Sequence, residues 1–344
     1  MSEQNVTSSG EGQDVQLWEP RRVLKRVSGG DAGLTCGFLR CRPEKWFPGF
    51  SEHWLPVIHS LGSDARITEI KTVLAKPPIG DLSFVGTISG EQVVLSIDSA
   101  GAAALSEEIV PGAAEGSARI VVGYFLRRLL ASLALSWSGP QAATVTFEPD
   151  MDPSSVAVRG SVKIGFSINT VSFAMWIGLG PTIVDVLDGL WRRQVQSLSK
   201  LGSGPAVVRI EVAQLGVPPQ MLSEYLTKGT VIDLEVKASD GVTIKLGSKA
   251  WMPARLLDVG GVLGCEMIPG ALAVPPITEG ATQLAVEFGA FEREGARVAE
   301  LGQAGAILVT DIPVSGVVNL VINQEKVGEA RLCVYEGRFA IEVQ

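Results

Sequence analysis

The 344-residue chain is 46% hydrophobic, has 39 glycines and carries a formal net charge of -8 with a pI near 5.0. Such a composition excludes disorder over most of the length and suits about two or three strand-rich globular domains. The acidity argues against a phosphate-backbone binder, which needs a basic face to release counterions, so no nucleic-acid partner is expected.

Residues 1–17 are polar and are expected to be flexible. They carry neither the charged n-region nor the apolar h-region of a signal peptide. The four cysteines, Cys36, Cys41, Cys265 and Cys333, form no CxxC pair, so a reduced, cytoplasmic protein is expected. Structure is expected to begin at Trp18, and 18–200 reads as an α+β domain. Strands are predicted at 67–75, 82–88, 92–98, 143–149 and 161–168, and helices at 117–135 and 181–196.

The most apolar stretch, 120–135, falls short of the ~20 residues a membrane span requires and carries Arg127 and Arg128 at its centre. It reads as a buried amphipathic helix, and no direct membrane insertion is expected. Val162, Ile164, Phe166 and Ile168 alternate, then the phase changes at Asn169-Thr170 to Val171, Phe173, Met175 and Ile177, which predicts a hairpin. Residues 178–181, Gly-Leu-Gly-Pro, join a strand to a helix start, a context that suits either a plain turn or an anion. His53 and His59 flank Pro56 at a spacing unsuited to a helical metal pair, and no metal or cofactor is expected. Cys36 and Cys41, like Trp46, Trp54 and Trp137, read as packing residues, and Arg192, Arg193 and Lys200 as a solvated helix end or a contact with acidic lipid or partner.

A Ser/Gly-rich linker at 197–205 leads into an internal repeat, in which 205–268 recurs as 282–344 across a Pro/Gly-rich linker at 269–281. Ala254, Arg255 and Leu256 fall on Ala330, Arg331 and Leu332, a constant offset of 76 that also sets Gly229 on Gly305 and Val242, Ile244, Leu246 on Val318, Leu320, Ile322. Each copy reads as a strand, a short helical stretch ending at Leu226 or Leu301, a turn glycine and three more strands. A module of about 60 residues buries only about 60% of its unfolded surface and leaves strand edges open. The expected remedy is an intramolecular pair with interdigitated strands, with the final strand buried inside it. Arg255 and Arg331, in otherwise apolar strands, are expected to be structural, paired with carboxylates such as Glu266 or Glu342, and Gly229 and Gly305 to serve as turn residues.

The two copies resemble the SpoA domain shared by flagellar switch proteins and their type III secretion counterparts. The second copy carries the clearer pattern in its strand, Asn323 turn and Gly328-Glu329, where the first has Gly247 and Met252-Pro253. Tandem SpoA copies behind an α+β domain are similar to the cytosolic-ring, or sorting-platform, protein of non-flagellar type III secretion. The resemblance implies a non-enzymatic scaffold, cytoplasmic and peripheral to the inner membrane through the secretion apparatus. Implied partners are the stalk regulator of the export ATPase, a sorting-platform adaptor, chaperone–effector complexes and a separately translated second SpoA module, within a higher-order oligomer. Met267 is a candidate internal start. It also implies a partner-binding apolar patch at Val314, Ala330 and Leu332, with Ala238, Ala254 and Leu256 in the first copy; packing against the other copy is the alternative role of these side chains. Two further readings stay open. One is a flagellar motor switch component, although the N-terminus lacks the acidic response-regulator motif. The other is phosphatase or hydrolase activity in the N-terminal domain, although no asparagine there follows a glutamate by three.

Overall fold

The computed structural model describes residues 15–40, 50–62, 64–80, 82–112, 114–138, 144–148, 150–198, 204–239, 241–270 and 280–344. Cys41, Trp46, the side chain of Trp137, residues 1–14 of the expected flexible terminus, and the linker centres 199–203 and 271–279 lie outside them. The fold mixes helix and strand, with large antiparallel sheets, in two compact units: residues 1–35 with 195–344, and residues 36–194.

The chain enters through a short strand, β1 (Gln16–Leu17), a helical turn at Pro20–Val23, a second short strand, β2 (Lys25–Val27), and a six-residue helix, α1 (Gly29–Leu34). The expectation for this stretch is the head of the α+β domain, preceded by flexible chain up to residue 17. Instead β1 pairs with Val334 and Cys333, and β2 with Leu257, Asp258 and Val259, far along the chain. The sequence hides this because strands of two and three residues carry no periodicity.

In the unit 36–194, six strands run β3 (Arg66–Val73), β4 (Ser83–Ile88), β5 (Glu91–Ile97), β6 (Val145–Glu148), β7 (Gly160–Ile168) and β8 (Val171–Leu179). They form one antiparallel sheet in the order β3-β7-β8-β5-β4-β6. The β7–β8 hairpin closes where expected, with Ile168 opposite Val171 and Asn169 at φ +53°, a conformation asparagine tolerates. A helix not anticipated, α2 (Ser99–Ile109), starts at Asp98, whose carboxylate accepts a hydrogen bond from Gly101 N–H at 2.7 Å. Gly101 lies against Phe173, and a Cβ there would overlap the aromatic side chain, so only glycine permits the approach. In α3 (Ala118–Ser138), Val122, Phe125, Leu126, Leu129, Leu130 and Leu133 form the buried stripe, while Tyr124, Arg127 and Arg128 are exposed. No helix among the described residues is long and apolar enough to cross a membrane. The last helix is α4 (Pro181–Leu198).

The other unit holds the repeat. The first copy contributes β9 (Pro205–Val217), β10 (Val231–Lys237), β11 (Gly241–Leu246), β12 (Lys249–Val259) and β13 (Val262–Met267). The second contributes β14 (Thr282–Glu294), β15 (Ile307–Pro313), β16 (Val317–Ile322), β17 (Glu325–Tyr335) and β18 (Arg338–Val343). Four strands, not three, follow each helical stretch, because β11 and β12 are separated only by Gly247-Ser248, and β16 and β17 by Asn323-Gln324. Gly247 at φ +59° and Asn323 at φ +48° occupy the same left-handed position, which explains why these two residue types exchange between the copies.

The sheet order β10-β18-β17-β16-β14-β9-β11-β12-β13-β15 reads the same from both ends once copies are exchanged. β10 of the first copy pairs with β18 of the second, Val231 opposite Glu342 and Ile232 opposite Ile341. β15 of the second pairs with β13 of the first, Ile307 opposite Glu266 and Leu308 opposite Cys265. The 76-residue offset converts one set of pairs into the other, so the unit has a pseudo-twofold axis. That axis passes between β9 and β14 at Glu211 opposite Glu287, which are themselves 76 residues apart. Leu284, Val286, Ile244, Leu320 and Ile341 are fully buried around it, each contributing on the order of 1.5–3 kcal/mol.

Candidate docking surface

β12 and β17 are each 11 residues long and outrun the strands beside them. β11 covers β12 only as far as Arg255, and β16 covers β17 only as far as Arg331. Beyond those points each strand would present an unpaired edge, which invites a further strand. The segment 16–27 covers both: β1 runs antiparallel to Cys333–Val334, and β2 runs parallel to Leu257–Val259, the equivalent positions in the first copy. One chain crossing a twofold meets its two equivalent strands in opposite senses, so the mixed polarity follows from the symmetry. Trp18 is the anchor. Its N–H donates to Leu332 C=O at 3.0 Å, and its ring packs edge-on to Phe339 at 5.5 Å and tilted to Phe288 at 5.9 Å. On the other side Ala32 joins Leu257, Val259 and Ile307 in one apolar cluster, and Thr35 Oγ1 accepts a hydrogen bond from Ile307 N–H at 2.8 Å.

Of the six residues expected to bind partners, Ala254, Leu256, Val314, Ala330 and Leu332 are buried and Ala238 is half-buried. As the chain stands they do not form an open patch. Val314 and Leu332 do come together, on the wall of a groove of about 400 Å³ that is completed by Leu17, Val317 and Arg331. Leu17 is 56% exposed and Val317 41%, so the accessible apolar surface at this place belongs to residues that sequence reasoning does not select. Arg331 is exposed and stands opposite Glu342, while Arg255 lies 4.0 Å from Glu266. Gly229 (φ +85°) and Gly305 (φ +78°) donate their N–H groups to Val343 C=O and Met267 C=O, so each turn is tied to the last strand of the opposite copy. Met267 is the fully buried end of β13, opposite Ala254.

A charge cluster lies on the axis. Arg209 Nη1 is 3.0 Å from Glu287 Oε2, and Arg209 Nη2 donates to Gln324 C=O. Lys245 Nζ pairs with Glu211 and also donates to Gln214 Oε1 at 3.2 Å. All four ionic side chains are nearly excluded from solvent. Burial holds the Glu211 and Glu287 carboxyls above the usual carboxylate range, opposed by the Lys245 and Arg209 charges. Because the raised values belong to the folded state, the stability lent by protonation is complete below the ordinary value of 4.5 and is lost as pH rises through the folded-state values. Acidification from neutral pH toward the ordinary carboxylate value of 4.5 is therefore expected to favour the wild-type protein over a Glu211→Gln/Glu287→Gln variant in paired urea denaturations. A relative loss for wild type would reverse the assigned sign.

In the unit 36–194, Arg119, Ile120, Tyr124 and Arg127 of α3 border a groove of about 350 Å³ floored by Phe84 and Phe147, with the Arg119 guanidinium 4.6 Å above the Phe84 ring. The start of α4, the place considered for an anion, already holds one: Thr182 N–H and Ile183 N–H both donate at 2.9 Å to the Glu91 carboxylate. A Cβ at Gly180 would overlap the same carboxylate, so a larger residue there would displace Glu91 from this position. Arg192, read from sequence as solvated or free for a partner, pairs with Asp188 at 2.6 Å with both side chains largely buried. Cys36, Cys265 and Cys333 are buried, and burial pushes the Cys265 thiol up to about 12. A comparison with protein-family models finds no match, and one with curated proteins finds none either.

Proposed function

We propose that this chain is a structural subunit of a type III secretion cytosolic ring, its two copies being SpoA modules paired as an intertwined pseudo-dimer. The observation that carries the reading is the reciprocal exchange in which β10 completes the second copy and β15 the first, at a fixed offset of 76 residues. A pair built in this way cannot be pulled apart without stripping an outer strand from each half, which suits a part that bears load between neighbours rather than one that turns over substrate. The groove at Leu17, Val317 and Arg331 is then the surface on which the stalk regulator of the export ATPase or the adaptor seats a short apolar segment. The protein works in the cytoplasm, peripheral to the inner membrane, as one copy in a larger oligomer.

The test is co-expression of the full chain with N-terminal fragments of candidate stalk regulators and adaptors, followed by size-exclusion chromatography. A stable complex that is lost in Val317→Asp supports the reading. No complex with any candidate removes it.

A further inference from the structure

The axis cluster is asymmetric in a way that the backbone is not. Glu211 and Glu287 are equivalent and face each other, but both cations come from the first copy: Arg209 corresponds to Ala285, and Lys245 to Val321. The residues directly opposite the glutamates on the flanking strands are uncharged, Thr243 on β11 and Asn319 on β16; Lys245 reaches Glu211 from two residues further along β11, where β16 has Val321. We infer that this cluster makes the second copy selective for the first copy as its partner and rejects a second molecule of itself. The inference does not depend on the proposed function.

The charges decide it. A pair of unlike copies holds two glutamates, one arginine and one lysine, and is neutral. Two second copies in the same arrangement bring Glu287 against Glu287 with no cation, leaving two negative charges buried. Two first copies hold two glutamates, two arginines and two lysines, leaving two positive charges. Only the unlike pair closes without uncompensated charge, and buried like-charge contacts are strongly selected against at interfaces. The backbone register on either side of the axis is the same in the two copies, and the buried charges at the axis differ between them only at Arg209/Ala285 and Lys245/Val321. Discrimination therefore falls on the ionic row.

The experiment uses the whole chain with a protease site placed within 271–279, cut after folding so that every residue is retained. The nicked protein is unfolded in urea, refolded at about neutral pH and sorted by native mass spectrometry. Pairs of unlike fragments are expected to dominate, with second-copy homodimers at least ~100-fold below their statistical share. Val321→Lys, which gives that homodimer two lysines against two glutamates, is expected to raise it by ~10-fold or more. Statistical mixing in the wild type, or no effect of Val321→Lys on the distribution, overturns the inference. A second measurement covers failure of the fragments to refold. In the uncut chain, Lys245→Val should lower the urea midpoint, and Lys245→Val/Val321→Lys should recover it, because the cation is restored at the equivalent position. Absence of recovery counts against the inference equally.

Discussion

Arg209→Met is expected to destabilise the unit built on the repeat by about 3–5 kcal/mol near neutral pH, read as a fall in the urea midpoint at unchanged slope. The size comes from what the substitution leaves behind. Glu287 loses its ion-pair partner at 3.0 Å while staying buried, and Glu211 opposite it is already committed to Lys245. Replacing the pair together, as Arg209→Met/Glu287→Met, is expected to recover most of the loss, since a buried ion pair contributes little net stability over apolar side chains of like volume. Arg255→Met supplies the control: its side chain is half exposed and its carboxylate 4.0 Å away, so a loss under about 1 kcal/mol is expected. If Arg209→Met proves as mild as Arg255→Met, the cluster is not a buried, charge-balanced device.

The same cluster shows where sequence reading succeeds and stops. Alternation in Val208, Arg209, Ile210, Glu211, Val212 identifies β9 as a strand with one apolar face, yet all five residues are buried. Alternation reports one covered face; it cannot report that a partner strand system covers the other. The repeat, by contrast, is legible, because an offset of 76 residues needs no knowledge of what contacts what, although the four strands after each helical stretch read as three. The strands of the 36–194 unit and both long helices are legible from periodicity, but α2 is not among the predicted elements. An alanine-rich run behind the Asp98 cap was its available signal. No local signal foretells Glu91 capping α4 from 91 residues away, nor the return of 16–27 to edges more than 200 residues downstream. These are consequences of assembled geometry, and they include the N-terminal residues that line the candidate groove.

Trp18→Ala is the second large effect, with an expected loss of about 3–5 kcal/mol. The indole is nearly fully buried between Phe288 of β14 and Phe339 of β18, and its backbone N–H holds Leu332. Truncation removes the ring contacts and loosens β1, whose two residues are themselves exposed and contribute little holding force. The damage has a more specific signature than a lowered midpoint. With β1 detached, the Cys333–Val334 edge of β17 and the side chains of Val314 and Leu332 become accessible, so the variant should gain protease sensitivity around 15–24 and bind a hydrophobic dye while the rest of the sheet persists. Ala32→Asp, which attacks the other end of the same segment, should instead open the Leu257 and Val259 edge. If the two variants expose the same edge, the segment behaves as one cooperative clasp. If each exposes only its own, the N-terminal segment is two independent covers, and a partner could displace β1 while β2 and α1 hold.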